Sequence, residues 1–597
     1  MSAKFKNLVD LWERSCKEFA DRELFGTKKD GRWEWISYGE FKTLVDDFRG
    51  GLASLGVGPG DKVGIVSDNR VEWAVACYAT YGLKAEYVPM YEAQKADEWQ
   101  FILDDCGAKV VIGAKADITA KLKKVKDGVA SLEHVICLEA DESDDHSYAA
   151  LLAAGKKKPV KAQQPEPSDT AGFIYTSGTT GNPKGVILSH GNIASNINAI
   201  HSIFPFSPDD RSLSFLPWAH SFGQTCELHA LLSMGASLGI NDEVPNLVAN
   251  LAEVKPTILF AVPRIFNRIY DGVNKQMADK PGFIQSLFRA GIQNATLKNA
   301  GKDVSLFGGI GLGLADKIIF SKIRDKFGGR LRFAVSGSAA LAKEVAEFID
   351  ALGIEVYEGY GLTETSPIAT ANFPDNRKIG SVGKAIPGVT ITIDKSVTDD
   401  PKNGEILIKG PNIMQGYHNR DEENAKVLME DRTFRSGDMG YLDDEGYLYI
   451  TGRIKEQYKL ENGKYVVPSP LEEELKLSPF IANVMIHGAN KPFNVALVVP
   501  DMDSLKKWAT ETGVDLGSVE KSDKVRDLLE KELKERSAGF KGFERPQKFT
   551  ITVDDFTTEN GMLTPTMKLK RRNVLAKYEA DLDALYKSDD KREAKRA

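Results

Sequence analysis

Residues 63–69 alternate apolar and polar positions before ending polar, which predicts a strand. Residues 71–83 carry apolar positions at helical spacing, 87–90 read as the next strand, 96–105 as a helix and 108–113 as a strand. Strands alternating with helices predict a parallel α/β sheet. Residues 156–169 are rich in Lys, Pro and Gln and read as a linker to a second such layer that begins at Ala171. In that layer 332–335 read as a strand, 341–352 as a helix and 354–358 as a strand, and polar loops follow both strands. Open α/β sheets gather ligands at the carboxyl ends of their strands, so chemistry is expected in those loops. From about Gly380 the texture changes to short alternating strands, 405–409 and 447–451, with turns such as 443–446; a small β unit is expected there. After Arg453 the chain turns Lys- and Glu-rich, with a hairpin-like pair, 484–487 and 495–499, among helices. The expected division is α/β throughout: residues 1–452 hold two parallel layers plus the β unit, and residues 453–597 form a smaller α+β domain.

Composition narrows the class. At 597 residues with 42% apolar and 27% charged positions, the chain is neither disordered nor collagen-like nor a membrane bundle. It carries 78 basic and 85 acidic residues, net −7, which leaves no global footprint for nucleic acid; local basic runs remain, and residues 589–597 are one. Five cysteines, Cys16, Cys77, Cys106, Cys137 and Cys226, form neither CxxC pairs nor Cys/His clusters of zinc spacing, so free thiols in a reducing compartment are expected. The N-terminal residues lack the uncharged run of a signal peptide, and no stretch reaches about 18 apolar residues. A cytoplasmic protein is expected.

The segment richest in chemistry is Tyr175-Thr-Ser-Gly-Thr-Thr-Gly-Asn-Pro-Lys-Gly185, set between the apolar runs 171–175 and 186–188. Gly178, Gly181 and Gly185 remove side-chain bulk, so backbone N–H groups can converge on an anion. Thr176, Ser177, Thr179 and Thr180 add hydroxyl donors, and Lys184 adds a mobile cation. Such a loop is a phosphate cradle; a flexible linker seldom sits between two apolar strands with a lone Lys. The Walker pattern is missing, which counts against a P-loop phosphotransferase.

This segment resembles the signature loop of the adenylate-forming superfamily, which includes acyl-CoA synthetases, firefly luciferase and the adenylation domains of peptide synthetases. Four further motifs follow in order: Tyr360-Gly-Leu-Thr-Glu-Thr-Ser-Pro367; Arg435-Ser-Gly-Asp438; Thr451-Gly-Arg453 with Lys459, Gly463 and Pro468-x-x-Leu-Glu472; and Leu563-Thr-Pro-Thr-Met-Lys568. The resemblance implies a two-step ligation, in which a carboxylate attacks the α-phosphate of ATP and a thiol, that of coenzyme A, then displaces AMP. Neither step needs an enzyme nucleophile, and the chain shows no Ser/His/Asp constellation.

By resemblance, Thr363 contacts the α-phosphate, and Glu364, with Thr176, holds Mg²⁺, a hard cation suited to oxygen ligands. Tyr360 and Gly361 lie at the adenine with the loop Gly337-Ser338-Ala339-Ala340, and Asp438 and Arg453 hold the ribose. Lys568 is the implied catalytic lysine of the first step. Many relatives have Gly before it where Met567 stands here, and Lys570 lies two residues on. Lys455 marks the implied bend about which the C-terminal domain swings, bringing Lys568 in for one step and removing it for the next.

Leu216-Pro-Trp-Ala-His-Ser-Phe222 resembles the family segment lining the acyl pocket. His220 is expected at the carboxylate end, and Trp218, Phe222 and Gln224 at the tail channel or in the core. More than 60 residues separate Val262-Pro-Arg-Ile265 from Arg332, and this insert, with its apolar stretch Phe283-Ile-Gln-Ser-Leu-Phe288, resembles long-chain fatty acyl-CoA synthetases. The expected substrate is a long-chain fatty acid. The insert is compatible with peripheral contact at the inner face of a membrane, and the sequence leaves room for an oligomer. Rival readings are a fatty acyl-AMP ligase serving a carrier protein and a non-catalytic lipid-binding relative.

Overall fold

The computed structural model describes residues 4–176, 183–398, 400–564 and 567–587. Its largest sheet has seven strands in the order Gly416–Tyr417, Lys184–Ser189, Thr170–Thr176, Glu86–Met90, Lys62–Val66, Ala108–Gly113, His134–Cys137. Four successive pairings from Thr170–Thr176 onward are parallel. The pairings of Lys184–Ser189 on either side are antiparallel. The helix Val71–Gly82 is buried almost all round, from Trp73 to Gly82, which is the mark of a helix sandwiched inside a core.

The linker reading of 156–169 is corrected here. Strand Thr170–Thr176 does not open a second layer; it joins the first sheet beside Glu86–Met90, with Tyr87 opposite Gly172. A Cβ at Gly172 would lie 2.0 Å from the Tyr87 carbonyl oxygen, so the glycine permits the approach. The residues before it are tied down: Gln163 N–H donates to Gly82 O, and Arg49 Nε donates to Val160 O.

The second α/β layer is a five-stranded sheet ordered Ile258–Ala261, Phe333–Ser336, Glu355–Gly361, Ile368–Ala371, Lys384–Ala385. Its first three strands are parallel, so their carboxyl ends lie together. A third sheet pairs Arg32–Ser37, Glu23–Lys29, Ser237–Ile240 and Arg211–Ser214. The expected β unit is an antiparallel sheet of Thr390–Asp394, Gly404–Lys409, Phe434–Leu442 and Leu448–Arg453.

The C-terminal sheet has strands Ile481–His487, Asn494–Pro500 and Pro546–Ile551. Period-two alternation gives it two apolar faces. Val484, Ile486, Ala496 and Val498 pack with Leu471, Val525 and Leu529 of the helices Pro468–Leu475 and Asp523–Arg536. Met485, Val495 and Leu497 pack with Val574, Tyr578 and Leu582 of the helix Arg571–Lys587.

All five cysteines are free and buried. Burial pushes the thiols of Cys16 and Cys106 up to about 12. Among the described residues no helix is long and apolar enough to cross a membrane.

Candidate active site

Strand Glu355–Gly361 delivers the second motif to the end of the five-stranded sheet and runs into the tight turn Thr363–Thr365. Leu362 N–H donates to Thr365 Oγ1 at 2.9 Å, which fixes that turn. A Cβ at Gly361 would lie 1.7 Å from the Pro367 carbonyl oxygen, so the position admits only glycine. Thr363 is buried, its hydroxyl 3.3 Å from that of Ser221. Glu364 is half-buried and accepts a 2.7 Å hydrogen bond from the Tyr417 hydroxyl. Lys184 sits 5.2 Å over the ring of the same tyrosine and pairs with Glu423. Tyr417 therefore links the carboxylate of one motif to the cation of another. Sequence reasoning missed Tyr417 and Glu423, because no local pattern marks contacts made across the sheet edge. Thr176 ends its strand opposite Lys184. Ser177, Gly178, Thr179, Thr180 and Gly181 lie outside the described residues.

A second cluster forms where Tyr360 meets the antiparallel sheet. Asp438 and Arg453 stand directly opposite each other on adjacent strands, and Arg453 Nε lies 3.0 Å from Asp438 Oδ1. The Tyr360 hydroxyl donates to Asp438 Oδ2 at 2.7 Å. Burial raises the Asp438 pKa, opposed by Arg453, the Tyr360 hydroxyl and Lys568. Asp438 raises the Arg453 pKa in return, with burial opposing. Tyr360 is itself core-packed. Its hydroxyl is thus committed to holding the carboxylate that would take the ribose.

Lys568 reaches the cleft from the C-terminal unit. Its backbone N–H donates to Thr564 Oγ1 at 3.0 Å and its carbonyl accepts from Thr564 N–H at 2.8 Å. Met567, standing where many relatives have glycine, has φ +62°, the left-handed region glycine adopts freely. The side chain of Lys568 is open to solvent, yet protein crowds it enough to lower its pKa; Arg453 adds to the fall, and Asp438, Glu364 and Glu456 oppose it. Lys568 is thus solvent-facing and at the same time under the charges of Arg453, Asp438 and Glu364. Two residues on, Lys570 N–H donates to Met562 O, and Arg571 pairs with Glu472 and donates to Ile486 O at 3.3 Å. The lysine segment is therefore fastened to the C-terminal core. Lys455 is exposed in the short turn Ile454–Glu456, which directly follows strand Leu448–Arg453.

His220 feels the charge of this lysine. Burial first, and the Lys568 ammonium second, push its imidazole down to about 4. His220 Nδ1 accepts from Phe222 N–H at 3.2 Å, so the neutral ring carries its proton on Nε2. Gly337, Ser338 and Ala339 form the loop after strand Phe333–Ser336, with Ser338 at φ +71°. A Cβ at Gly337 would come within 3.2 Å of the Phe222 ring, which ties this loop to the His220 segment. Trp218, Phe222 and Gln224 are all buried.

Glu227 went unnoticed in the sequence. It lies fully buried in the π-helical stretch Phe222–His229, accepting from Ser212 at 2.9 Å and Ser214 at 2.6 Å. Burial pushes its carboxyl up to about 8, against the hydroxyl hydrogen bonds. Between the ordinary carboxylate range and that value the folded chain holds a proton that the unfolded chain releases. Stability is therefore present at low pH and lost as pH rises through this window. Expected for Glu227→Gln is a smaller fall in urea midpoint between pH 5 and pH 8 than in the wild type, since the pH-dependent loss, on the order of 4 kcal/mol, is removed.

Two family models match the chain: AMP-binding enzyme over residues 12–418, and the AMP-binding enzyme C-terminal domain over 455–590. The chain belongs to the AMP-binding enzyme family. Its relatives within that family include a long-chain-fatty-acid–CoA ligase of Mycobacterium tuberculosis, 32% identical over 94% of each chain. Another is the peroxisomal long chain acyl-CoA synthetase 7 of Arabidopsis thaliana, 30% identical over 97% of this chain and 86% of the relative. The AMP-binding fold is shared with the adenylation domain of a Mycobacterium chelonae carboxylate reductase, TM-score 0.81, 22% identity, over 98% of this chain and 92% of that one. It is shared also with ATP-bound MatB of Rhodopseudomonas palustris, TM-score 0.71, 23% identity, over 96% and 99%.

Proposed function

We propose that this AMP-binding enzyme activates long-chain fatty acids in two steps. The fatty carboxylate displaces pyrophosphate from the α-phosphorus of ATP, giving acyl-adenylate; the thiol of coenzyme A, losing its proton, then displaces AMP to give the thioester. The observation that carries this reading is the Asp438–Arg453–Tyr360 cluster, whose tyrosine lies on the strand that runs into the turn bearing Thr363 and Glu364, with the Lys568 ammonium under the influence of the same charges. Relatives similar along nearly the whole chain, a long-chain-fatty-acid–CoA ligase and a long chain acyl-CoA synthetase, supply the substrate class.

The chemistry asks for two anions held together and for charge on phosphorus to be met. Lys568 supplies a cation to both. His220, neutral with Nε2–H, donates to the carboxylate without competing as a second cation. Thr363 addresses the α-phosphate, Asp438 and Arg453 the ribose, and Gly337, Ser338, Ala339, Tyr360 and Gly361 the adenine side. Lys184, with Ser177, Gly178, Thr179, Thr180 and Gly181, addresses the outer phosphates.

Among the described residues no group of three His, Cys, Asp or Glu could hold a resident metal. One carboxylate, Glu364, with the Thr176 hydroxyl suits Mg²⁺ arriving on the triphosphate, since this ion binds through one or two carboxylates plus substrate phosphates. When bound, it would offset phosphate charge.

Residues 1–452 would carry the nucleotide and acyl sites, and residues 453–597 would swing about Lys455 between the steps. The reaction is proposed for the cytoplasm, a setting compatible with peripheral contact at the inner face of a membrane. AMP release measured over a chain-length series, with and without coenzyme A, tests the reading. Expected is acyl-CoA formation that favours palmitate-like acids. Faster turnover of short acids overturns the substrate class; AMP-ester formation without use of coenzyme A points to carrier-protein delivery; no AMP or pyrophosphate release refutes catalysis.

A further inference from the structure

Between Pro263 and Arg330 the chain leaves the sheet and builds the helices Pro263–Ala278, Gly282–Asn299 and Leu306–Ala315. The last continues through a π-helical turn, Asp316–Phe320, into Ser321–Asp325. Their inner side is core: Phe288, Ala315, Ile319, Phe320 and Ile323 are buried. Within the stretch 283–288, Phe288 is buried and Ile284 and Leu287 pack partly against the core, while Phe283 is 72% exposed. The bare apolar surface lies one helix later. Leu306 is 80% exposed, Phe307 85%, Ile310 64%, Leu314 49% and Ile318 39%. From Phe307 onward these residues recur every three or four positions, so they form one stripe.

Two further observations bear on what covers it. A Cβ at Gly309, Gly311 or Gly313 would meet nothing within 4 Å, so no packing asks for glycine there, although glycine weakens a helix interior. An apolar, weakly self-supporting helix is left bare in water. The second observation is charge. Residues 263–330 hold twelve Lys and Arg against five Asp and no Glu, a net +7, whereas the whole chain is −7. Among the described residues of this segment Arg324–Asp316 is the one ion pair. Lys298, Lys302, Lys317 and Lys322 are exposed around the stripe. A second copy docking here would set two basic surfaces against each other.

We propose that the apolar face of residues 306–318 is a docking surface for an anionic lipid bilayer. Leu306, Phe307, Ile310, Leu314 and Ile318 enter the headgroup–acyl boundary, and the flanking lysines meet the anionic headgroups. Docking stands on this face alone. Its use, taking a long-chain acid directly from the bilayer, rests on the activity proposed above.

The full-length protein is mixed with vesicles of phosphatidylcholine, with and without phosphatidylglycerol, and sedimented without substrate. Expected is co-sedimentation with the anionic vesicles that weakens as salt rises. The double variant Phe307→Ser/Ile310→Ser loses about tenfold in binding, and Lys317→Glu/Lys322→Glu flattens the salt dependence. Both keep the wild-type rate of AMP release on soluble octanoate but lose rate on palmitate carried in vesicles. Should the serine variant misfold, Phe307→Trp serves instead, its added emission moving to the blue on vesicle addition. Equal vesicle binding by wild type and the serine variant, absence of binding by the wild type, or no shift at Phe307→Trp overturns the proposal. So does a halving of the wild-type solution mass in the serine variant, which would give the face to a second copy. Failure of the wild type to release AMP on either octanoate or palmitate would strike the proposed reaction and leave the vesicle result intact.

Discussion

Lys568→Ala lowers acyl-adenylate formation by roughly 10²–10³-fold while thiolysis of supplied acyl-adenylate keeps its rate. The first step brings a fatty carboxylate against a triphosphate, and mutual repulsion of these anions is a large part of its barrier. Asp438, Glu364 and Arg453 already shape the charge of Lys568. Crowding and Arg453 lower its pKa; an arriving triphosphate pulls the other way and favours the ammonium. The alanine variant has no cation at this point. Lys570, whose backbone is tied to Met562, does not replace it. Pyrophosphate exchange into ATP reads the first step, and release of AMP from supplied adenylate plus coenzyme A reads the second. Equal loss in both would remove the assigned role. Lys570→Ala is expected to leave both steps near wild type.

Asp438→Ala raises the KM for ATP by about 10²-fold and lowers the denaturation midpoint. The carboxylate is 4% exposed and accepts from Tyr360 at 2.7 Å while pairing with Arg453 at 3.0 Å. Removing it leaves a buried phenol without its acceptor and a guanidinium without its counterion. Breaking a buried pair costs about 3–5 kcal/mol, but the Arg453 side chain is 42% exposed, so solvent screening reduces the stability cost to about 1–2 kcal/mol. The loss in ATP binding follows from the proposed ribose role, in which two ribose hydroxyls lose a charged acceptor. Asp438→Asn separates the effects: it can still accept from Tyr360, so it recovers much of the stability, but it retains the raised KM. The KM for fatty acid should move little in either variant. A wild-type KM for ATP in Asp438→Asn would exclude the ribose role.

The alternation of strands and helices was legible because it is local: 71–83 and 108–113 carry their own period, and helix Val71–Gly82 and strand Ala108–Gly113 follow it. Sheet membership is not local. Nothing within 156–175 announces that Gly172 will pair beside Tyr87, so a polar stretch was read as a boundary. The Asp438–Arg453 pairing was only half accessible: the turn at 443–446 sets Gly440 opposite Ile450, but a bulge between Met439 and Gly440 shifts the register by one before Asp438 meets Arg453. Tyr417 and Glu227 were not accessible at all. One is placed by an edge strand, Gly416–Tyr417, pairing with Lys184–Ser189; the other by serines on a strand reached only through the fold. The exposed stripe at 306–318 is apolar in sequence, but only the packing shows which side is bare.

The five buried thiols bear on how the proposed swing could be watched. Maleimide dyes attack thiolates, and these sulfurs are both sheltered and, at Cys16 and Cys106, hard to ionise. A cysteine introduced on each side of the cleft would therefore take fluorophores while the native five stay silent. Distances between the two labels could then be followed through turnover without first stripping the molecule of its own sulfur.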